Sequence, residues 1–384
     1  MRITLVITSL ERGGAERVLS RLASWWAEEG RDVTLLPLNN QAEPAYDLRF
    51  VKLASLGLPA GSDSFTGLFQ KIRKIFALRR YLRENSSDVI VSFIDRSNIL
   101  TLLCSRGLGI PVVVSERTVP ASYDIGIILS SLRRLVYPRA SAIVCQTESV
   151  VRWLRKRFQV PVYAIPNPVV SLAPANSRTE SRNGSSQRTL IAVGRLAHEK
   201  GFDLLLEAFS RIASSFPEWR LLILGSGPLQ DELEAKSRVL DLTERVIFVG
   251  ACSNPFPALQ AADLFVLSSR FEGFPNALTE AMACGLPVIS FDCPCGPAEI
   301  VRHEVDGLLV PPQDIAALAA TLARLMASPQ ERERLAARAP DVLERFSRRK
   351  ILAMWQEVFD ALPIVRRQTD EKSGVQRENE TCRP

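Results

Sequence analysis

Residues 189–201, TLIAVGRLAHEKG, decide the fold. Their apolar, partly β-branched start predicts a buried strand, and the glycine that ends the polar loop opens a helix pattern. Ligands of doubly wound sheets bind beyond the carboxyl ends of the strands. The stretch therefore predicts one strand, loop and helix of an α/β domain, and Arg195 and Lys200 lie in a loop that either binds a ligand or is only solvated.

The same alternation continues on the carboxyl side of this stretch. It predicts strands at 220–225, 245–250, 263–268, 286–291 and 307–311, and helices that begin near Phe202, Leu229, Asn276 and Ile315. We assign residues 189–345 to this doubly wound domain. An amphipathic pattern from about Pro340 through Trp355 and Phe359 predicts a C-terminal helix, assigned to 346–363, and the polar residues 364–384 predict a disordered tail.

On the amino side, residues 171–188 are rich in Ser, Asn, Arg and Gly and predict a linker. Before that linker, apolar runs alternate with amphipathic stretches and predict strands at 3–8, 33–38, 89–93, 112–115, 142–145 and 162–165. Residues 1–170 are therefore assigned to a first Rossmann-like domain. A chain of 384 residues is long enough for two such domains, with a cleft between them.

Composition excludes several classes of protein. With 46% apolar and 23% charged residues, the chain has no run near the ~18 apolar residues that a spanning helix needs. Its short apolar start does not fit a signal peptide, so we expect a cytoplasmic chain that begins at Met1. Seven cysteines, an odd number without zinc-site spacing, fit a reducing compartment, and we expect no metal and no other cofactor.

Charge is distributed unevenly along the chain. Residues 1–168 hold 23 Lys and Arg against 14 Asp and Glu, and six cations crowd a helix pattern within 68–85. Leu68, Ile72, Ile75, Phe76 and Leu82 fall on one face of that helix. Either this surface meets anionic lipid, or the apolar face packs on the sheet and the cations are only solvated. A second basic stretch lies at 151–158, but no aromatic array accompanies it, so we expect no nucleic-acid partner.

Two further loops have features of phosphate sites. Gly13 and Gly14 stand between the first strand and its helix, where free N–H groups and the helix dipole favour anions. A tight strand-to-helix turn without a ligand is the alternative for this pair. After the strand at 263–268, Pro275 pre-sets the first turn of a helix, which would aim the N–H groups of Asn276, Ala277 and Leu278 into the cleft. Glu272 in the loop and Glu280 in the helix can then face one ligand.

Together these motifs carry a family resemblance. The Glu272/Glu280 pair, the GR…EKG loop at 194–201 and the GGAE loop at 13–16 resemble the retaining GT-B glycosyltransferases of family four, over nearly the whole chain. The stretches DVIVSFIDRSNI (88–99), SERT (115–118), LRRLVYPRASAIVCQTESV (132–150) and SFDCPCGPAEIV (290–301) resemble the branch that includes N-acetylgalactosamine transferases of bacterial N-glycan assembly. Those enzymes act on polyprenyl-diphosphate-linked glycans.

The resemblance implies a fold of two facing Rossmann-like domains, with a C-terminal helix that crosses back to the first. It implies that Arg195 and Lys200 hold the donor diphosphate beside the backbone of Gly14. Glu280 would bind the ribose, and Glu272 would orient the transferred sugar. The nucleoside pocket would be lined by Gly225, Gly227 and Cys252.

The implied reaction transfers a hexose or N-acetylhexosamine, with retention, from a nucleoside-diphosphate sugar, expected to be UDP-linked. The implied acceptor is a lipid-linked glycan, which would place the protein at the inner face of the cytoplasmic membrane. Many relatives place a histidine near the donor sugar where this chain has Arg117, which cannot act as a base at ordinary pH.

Three other readings stay open. A GT-B epimerase would act without an acceptor, and a phosphorylase of the familiar type would need a pyridoxal-phosphate lysine. A silent lipid- or partner-binding scaffold would have no need of the four charged residues Arg195, Lys200, Glu272 and Glu280. The GSGP turn at 225–228 superficially suggests a dinucleotide site, but Gln230 stands at the third glycine position.

Overall fold

A computed structural model describes residues 1–11, 13–39, 44–58, 68–119, 125–170, 187–252 and 254–363. Most of the predicted linker, residues 171–186, and the predicted tail, residues 364–384, lie outside this description. The assigned domain boundaries therefore stay a prediction. Two parallel sheets, one on each side of the linker, form the two halves of the described chain.

The first sheet has seven strands in the order β3-β2-β1-β4-β5-β6-β7, with every pair parallel. Reversal of the strand order beside β1 places a crevice at the carboxyl ends of β1 and β4. The strands are β1 (Arg2–Ile7), β2 (Asp32–Pro37), β3 (Lys52–Leu53), β4 (Val89–Phe93), β5 (Val112–Ser115), β6 (Ala142–Cys145) and β7 (Val162–Ala164).

Within the described part of the first half, five helices cover its sheet on the two faces. One face packs against α1, and the other packs against α2 to α5, because strands buried on both sides need apolar cover on each. The helices are α1 (Gly14–Glu28), α2 (Leu68–Glu84), α3 (Asp95–Cys104), α4 (Ile127–Val136) and α5 (Glu148–Arg155).

The second sheet has six parallel strands in the order β10-β9-β8-β11-β12-β13. Its strands are β8 (Arg188–Val193), β9 (Trp219–Leu224), β10 (Val246–Gly250), β11 (Leu264–Leu267), β12 (Val288–Phe291) and β13 (Leu308–Val310). Its helices are α6 (Phe202–Ser210), α7 (Gln230–Val239), α8 (Phe256–Ala261), α9 (Asn276–Ala283), α10 (Pro297–Ile300), α11 (Ile315–Ala327), α12 (Pro329–Arg338) and α13 (Asp341–Arg345). The predicted doubly wound fold of both halves is confirmed.

The last helix, α14 (Arg348–Asp360), returns to the first half, as the resemblance implies. Trp355 packs edge-on against Trp26 of α1 with 5.4 Å between ring centroids, and Phe359 completes the cluster. Such aromatic pairs contribute about 0.5–1.5 kcal/mol each beyond the area they bury. The pattern from Pro340 is not one helix, however. Helix α13 ends at Arg345, and α14 begins after Ser347, whose hydroxyl accepts from the Lys350 N–H.

The basic helix α2 is rotated relative to its predicted apolar face. Lys74 is buried with Leu78 and Leu82, and its ammonium donates to Asn39 Oδ1 at 2.9 Å. In contrast, Ile72 and Phe76 are exposed, Phe76 to 69%. Of the two alternatives for the apolar face, packing on the sheet is therefore wrong for Ile72 and Phe76, and the buried side of the helix instead includes Lys74 with its polar partner Asn39. Among the helices described, none is long and apolar enough to cross a membrane.

Candidate active site

Loops at the carboxyl ends of strands from both sheets meet around one cavity of about 840 Å³. The first half contributes the turn between β1 and α1, and the second contributes the turns after β8, β9, β10 and β11. Ten of the predicted site residues line this cavity: Gly14, Arg195, Lys200, Gly225, Gly227, Cys252, Glu272, Asn276, Ala277 and Glu280. The structure thus brings the predicted groups together.

Lys200 and Glu272 bond each other inside the cavity. The Lys200 ammonium donates to Glu272 Oε1 at 2.6 Å, and the Ser269 hydroxyl donates to the same oxygen at 2.7 Å. The Glu272 side chain is only 8% exposed, so this pair compensates a carboxylate that has lost most of its water. The Ser268 hydroxyl donates to the Lys200 carbonyl at 3.0 Å and fixes the loop that carries the lysine.

Glu280 forms an ion pair with Arg17, a residue of the first half that the sequence did not single out. Burial raises the pKa of Glu280, and the charges of Arg17 and Arg21 oppose that shift. Arg17 also lines the cavity, one helical turn beyond Gly14. The pair therefore joins α1 and α9 across the cleft.

Tyr46 fixes the glycine turn that precedes α1. Its hydroxyl accepts from the Gly13 N–H at 3.1 Å and donates to the Gly13 carbonyl at 3.0 Å. Both residues line the cavity. Neither Tyr46 nor Arg17 belongs to a motif. The one signal in the sequence is that each is a polar residue in the segment that follows a predicted strand.

Leu278 does not belong to the cavity lining, contrary to the prediction. Its N–H donates to the Pro275 carbonyl at 3.1 Å, and its side chain is buried in the core. Of the three amides predicted to point into the cleft, this one is already used by the first turn of α9. Asn276 and Ala277 keep their places in the lining.

The turn after β9 packs closely against the loop that carries Arg195. A Cβ atom at Gly227 would lie 2.4 Å from the Leu196 carbonyl oxygen, and one at Gly225 would lie 1.8 Å from the Gly194 oxygen. Only glycine allows this approach. The two turns together form one wall of the cavity, and the exposed Cys252 stands at its rim.

Arg117 does not line the cavity among the residues described; it supports the lining from behind. Its guanidinium lies over the Phe93 ring at 4.2 Å and donates to Asn167 Oδ1 at 2.8 Å. Asn167 in turn donates to Asn276 Oδ1 at 2.8 Å, which links the two halves. Burial lowers the pKa of Arg117 to about 9, so it stays charged at neutral pH.

Next to Arg117, the carboxyl group of Glu116 is fully buried. The Tyr137 hydroxyl donates to it, and Asn98 donates to that hydroxyl at 3.2 Å. The other oxygen, Oε2, is buried and has no hydrogen-bond partner within the part of the chain that the structure describes. Burial raises the pKa of Glu116 to about 7.

A further contact between the halves is made at the start of α5. Glu299, in α10, accepts from the N–H groups of Glu148 at 2.9 Å and Ser149 at 3.1 Å. These are the first amides of α5, which have no partner within their own helix. A carboxylate of one half therefore caps a helix of the other.

Two facing parallel-sheet domains with a charged cavity between them define the GT-B class of fold. The profile described as "Glycosyl transferases group 1" matches residues 175–342, and that described as "Glycosyl transferase 4-like domain" matches residues 13–168. The chain belongs to the glycosyltransferase family that these two profiles describe, one for each half.

One similar protein is the Campylobacter jejuni enzyme named GalNAc-α-(1→4)-GalNAc-α-(1→3)-diNAcBac-PP-undecaprenol α-1,4-N-acetyl-D-galactosaminyltransferase. It is 30% identical over 362 residues, which is 94% of this chain and 98% of that protein. An exopolysaccharide phosphotransferase of Streptomyces coelicolor is 33% identical over 244 residues, but the match spans only 25% of its length and 62% of this chain.

Among solved structures, TarM of S. aureus, crystallised with UDP as a G117R mutant, has a TM-score of 0.78. The likeness covers 94% of this chain and 99% of that chain at 13% identity. It bears on the fold alone.

Proposed function

We propose that this protein is a retaining glycosyltransferase that moves a hexose or N-acetylhexosamine from a UDP-sugar to a lipid-linked glycan. The observation that carries the proposal is the meeting of Arg195, Lys200, Glu272 and Glu280 in one cavity with the Gly14 turn. Two cations and a helix N-terminus suit a diphosphate, and two carboxylates suit the hydroxyls of ribose and sugar.

In this proposal the protein stabilises the charge that develops on the departing diphosphate. Arg195 and Lys200 approach it from the second domain, and the Gly14 backbone approaches from the first. Glu272 holds the transferred sugar through its hydroxyls, and Glu280 holds the ribose. The bond from the anomeric carbon to the diphosphate breaks, and the acceptor oxygen bonds to that carbon on the same face, so the anomeric configuration is unchanged. The leaving diphosphate takes the proton of the acceptor hydroxyl. These cations take the place of a metal ion.

Two observations support the proposed acceptor: the name of one relative and the surface of the first domain. The Campylobacter enzyme is named for an undecaprenyl-diphosphate-linked glycan. On α2, the exposed apolar residues Ile72 and Phe76 stand beside the exposed cations Arg73, Arg80 and Arg83. Exposed apolar groups among cations suit the headgroup region of an anionic membrane. We propose that this face meets the inner leaflet.

The test is to incubate the purified protein with a panel of UDP- and GDP-sugars and polyprenyl-diphosphate-linked acceptors. We expect a UDP-sugar to be consumed only when acceptor is present, and NMR of the product to show the donor's anomeric configuration. Consumption without acceptor would favour the epimerase. Donor binding without turnover against every acceptor would favour the silent scaffold.

A further inference from the structure

Arg17 and Glu280 are 263 positions apart, yet their side chains form an ion pair across the cleft. The Arg17 side chain is 21% exposed and that of Glu280 is 9% exposed. Arg17 comes from the first helix of the first domain, and Glu280 comes from the helix predicted to hold the ribose. The contact therefore lies within the proposed donor site.

This ion pair conflicts with the role proposed for Glu280. A ribose diol binds a carboxylate best when each of its hydroxyls donates to one oxygen. Here the Arg17 guanidinium donates to Oε1 of Glu280. A nucleoside that engages both oxygens therefore competes with Arg17 for Oε1.

A displaced Arg17 has a second partner within reach. It lines the same cavity as Gly13, Gly14 and Lys200, which surround the proposed diphosphate position. Its flexible side chain carries a fork of N–H donors that matches phosphate oxygens. Arg21 lies one turn further along α1, and its positive charge repels that of Arg17. This repulsion favours a state in which Arg17 is paired with an anion.

We propose that Arg17 is a donor-binding residue that exchanges partners when the donor binds. It holds Glu280 until the ribose takes that carboxylate, and its guanidinium then turns to the donor diphosphate opposite Arg195 and Lys200. This inference rests on the proposed function, because it needs a nucleoside diphosphate in the cavity. Its consequence is a first-domain contact that forms only with ligands that carry phosphate.

The test is isothermal titration of the wild type and Arg17→Ala with uridine, UMP and UDP, and with the guanosine series. In the variant, the nucleoside no longer competes with Arg17, so we expect uridine to bind about fivefold more tightly. UDP loses a charged contact, so we expect it to bind about tenfold more weakly. Arg17→Lys should recover part of the UDP affinity, and Arg349→Ala, on an exposed surface, is the matched control.

The two affinities must move in opposite directions. A parallel loss for nucleoside and diphosphate would mean that Arg17 only maintains the site, and a parallel gain would mean that it only competes; either overturns the inference. Thermal unfolding of Arg17→Ala and Arg17→Gln separates misfolding from these outcomes. If the wild type binds neither series, the proposed function fails together with this inference; if it binds one without divergence in the variant, only this inference fails.

Discussion

The Lys200 ammonium lies 2.6 Å from Glu272 Oε1, so the residues expected to hold the diphosphate and the sugar are bonded to each other. They come from loops 72 positions apart, after β8 and β11. A change in either residue will therefore alter the setting of the other. The effects of substituting Lys200 and Glu272 should therefore not be additive.

Lys200→Ala should lower turnover by about 10²-fold, because one charged donor to the departing diphosphate is lost. Ser269 still donates to Glu272, so the protein should stay folded. Initial rates at saturating donor measure the effect, and Lys350→Ala, which removes a surface lysine paired with Glu344, is the control. A rate equal to that of the wild type would show that Lys200 does not stabilise the departing diphosphate.

Glu280→Gln keeps the shape of the side chain but removes its charge. We expect UDP to bind about 10- to 100-fold more weakly, because hydrogen bonds to a charged acceptor contribute about 1.5–3 kcal/mol. Calorimetric titration measures the dissociation constant. Unchanged affinity would show that the ribose binds elsewhere.

Gly273→Ala should weaken the contact between the domains. The added Cβ would lie 2.8 Å from the Arg117 carbonyl oxygen and 2.9 Å from Gln146 Oε1, both in the first domain. The Arg117 carbonyl belongs to the backbone and cannot move aside as the tip of a side chain can. The added methyl group should therefore push the two domains apart. We expect a larger radius of gyration in X-ray scattering and a lower kcat/KM; unchanged values of both would contradict the close packing.

Glu116→Gln should flatten the pH dependence of stability. The folded pKa of Glu116 is raised from 4.5 to about 7, so the folded protein binds one more proton than the unfolded chain between these values. Wild-type stability should therefore fall as pH rises through this window, by up to about 1.4 kcal/mol per pH unit from this group. Urea unfolding of both proteins at several pH values measures the difference, and parallel curves would contradict it.

Chelation should leave the reaction intact. The proposed charge stabilisation comes from Arg195, Lys200 and backbone amides, which do not require a divalent ion. Rates measured with EDTA should match those without it. Loss of activity that Mg²⁺ restores would mean that a metal shares this task.

The sequence predicts the two sheets because buried parallel strands form continuous apolar runs, as in β4 and β5, which the structure places at the predicted residues. It also predicts the motif loops that meet in the cavity. It does not predict Arg17, Tyr46 or Glu299. Their partners lie far along the chain, and single polar residues carry no periodic signal.

Two local errors have a similar origin. Helical spacing predicts an apolar face on α2 that lacks Lys74, but the buried side includes this lysine, whose ammonium donates to Asn39. Leu278 was assigned from its position in a helix start, although the first turn of α9 already engages its amide. Tertiary contacts decide both cases.

The return of α14 to the first domain affects how the chain acquires its structure during synthesis. Trp26 is packed against Trp355 and Phe359, so the core of the domain made first stays incomplete until α14, the last helix described, has left the ribosome. A fragment ending after the first sheet would expose that aromatic surface to water. Completion of the first domain's core therefore follows synthesis of the second domain.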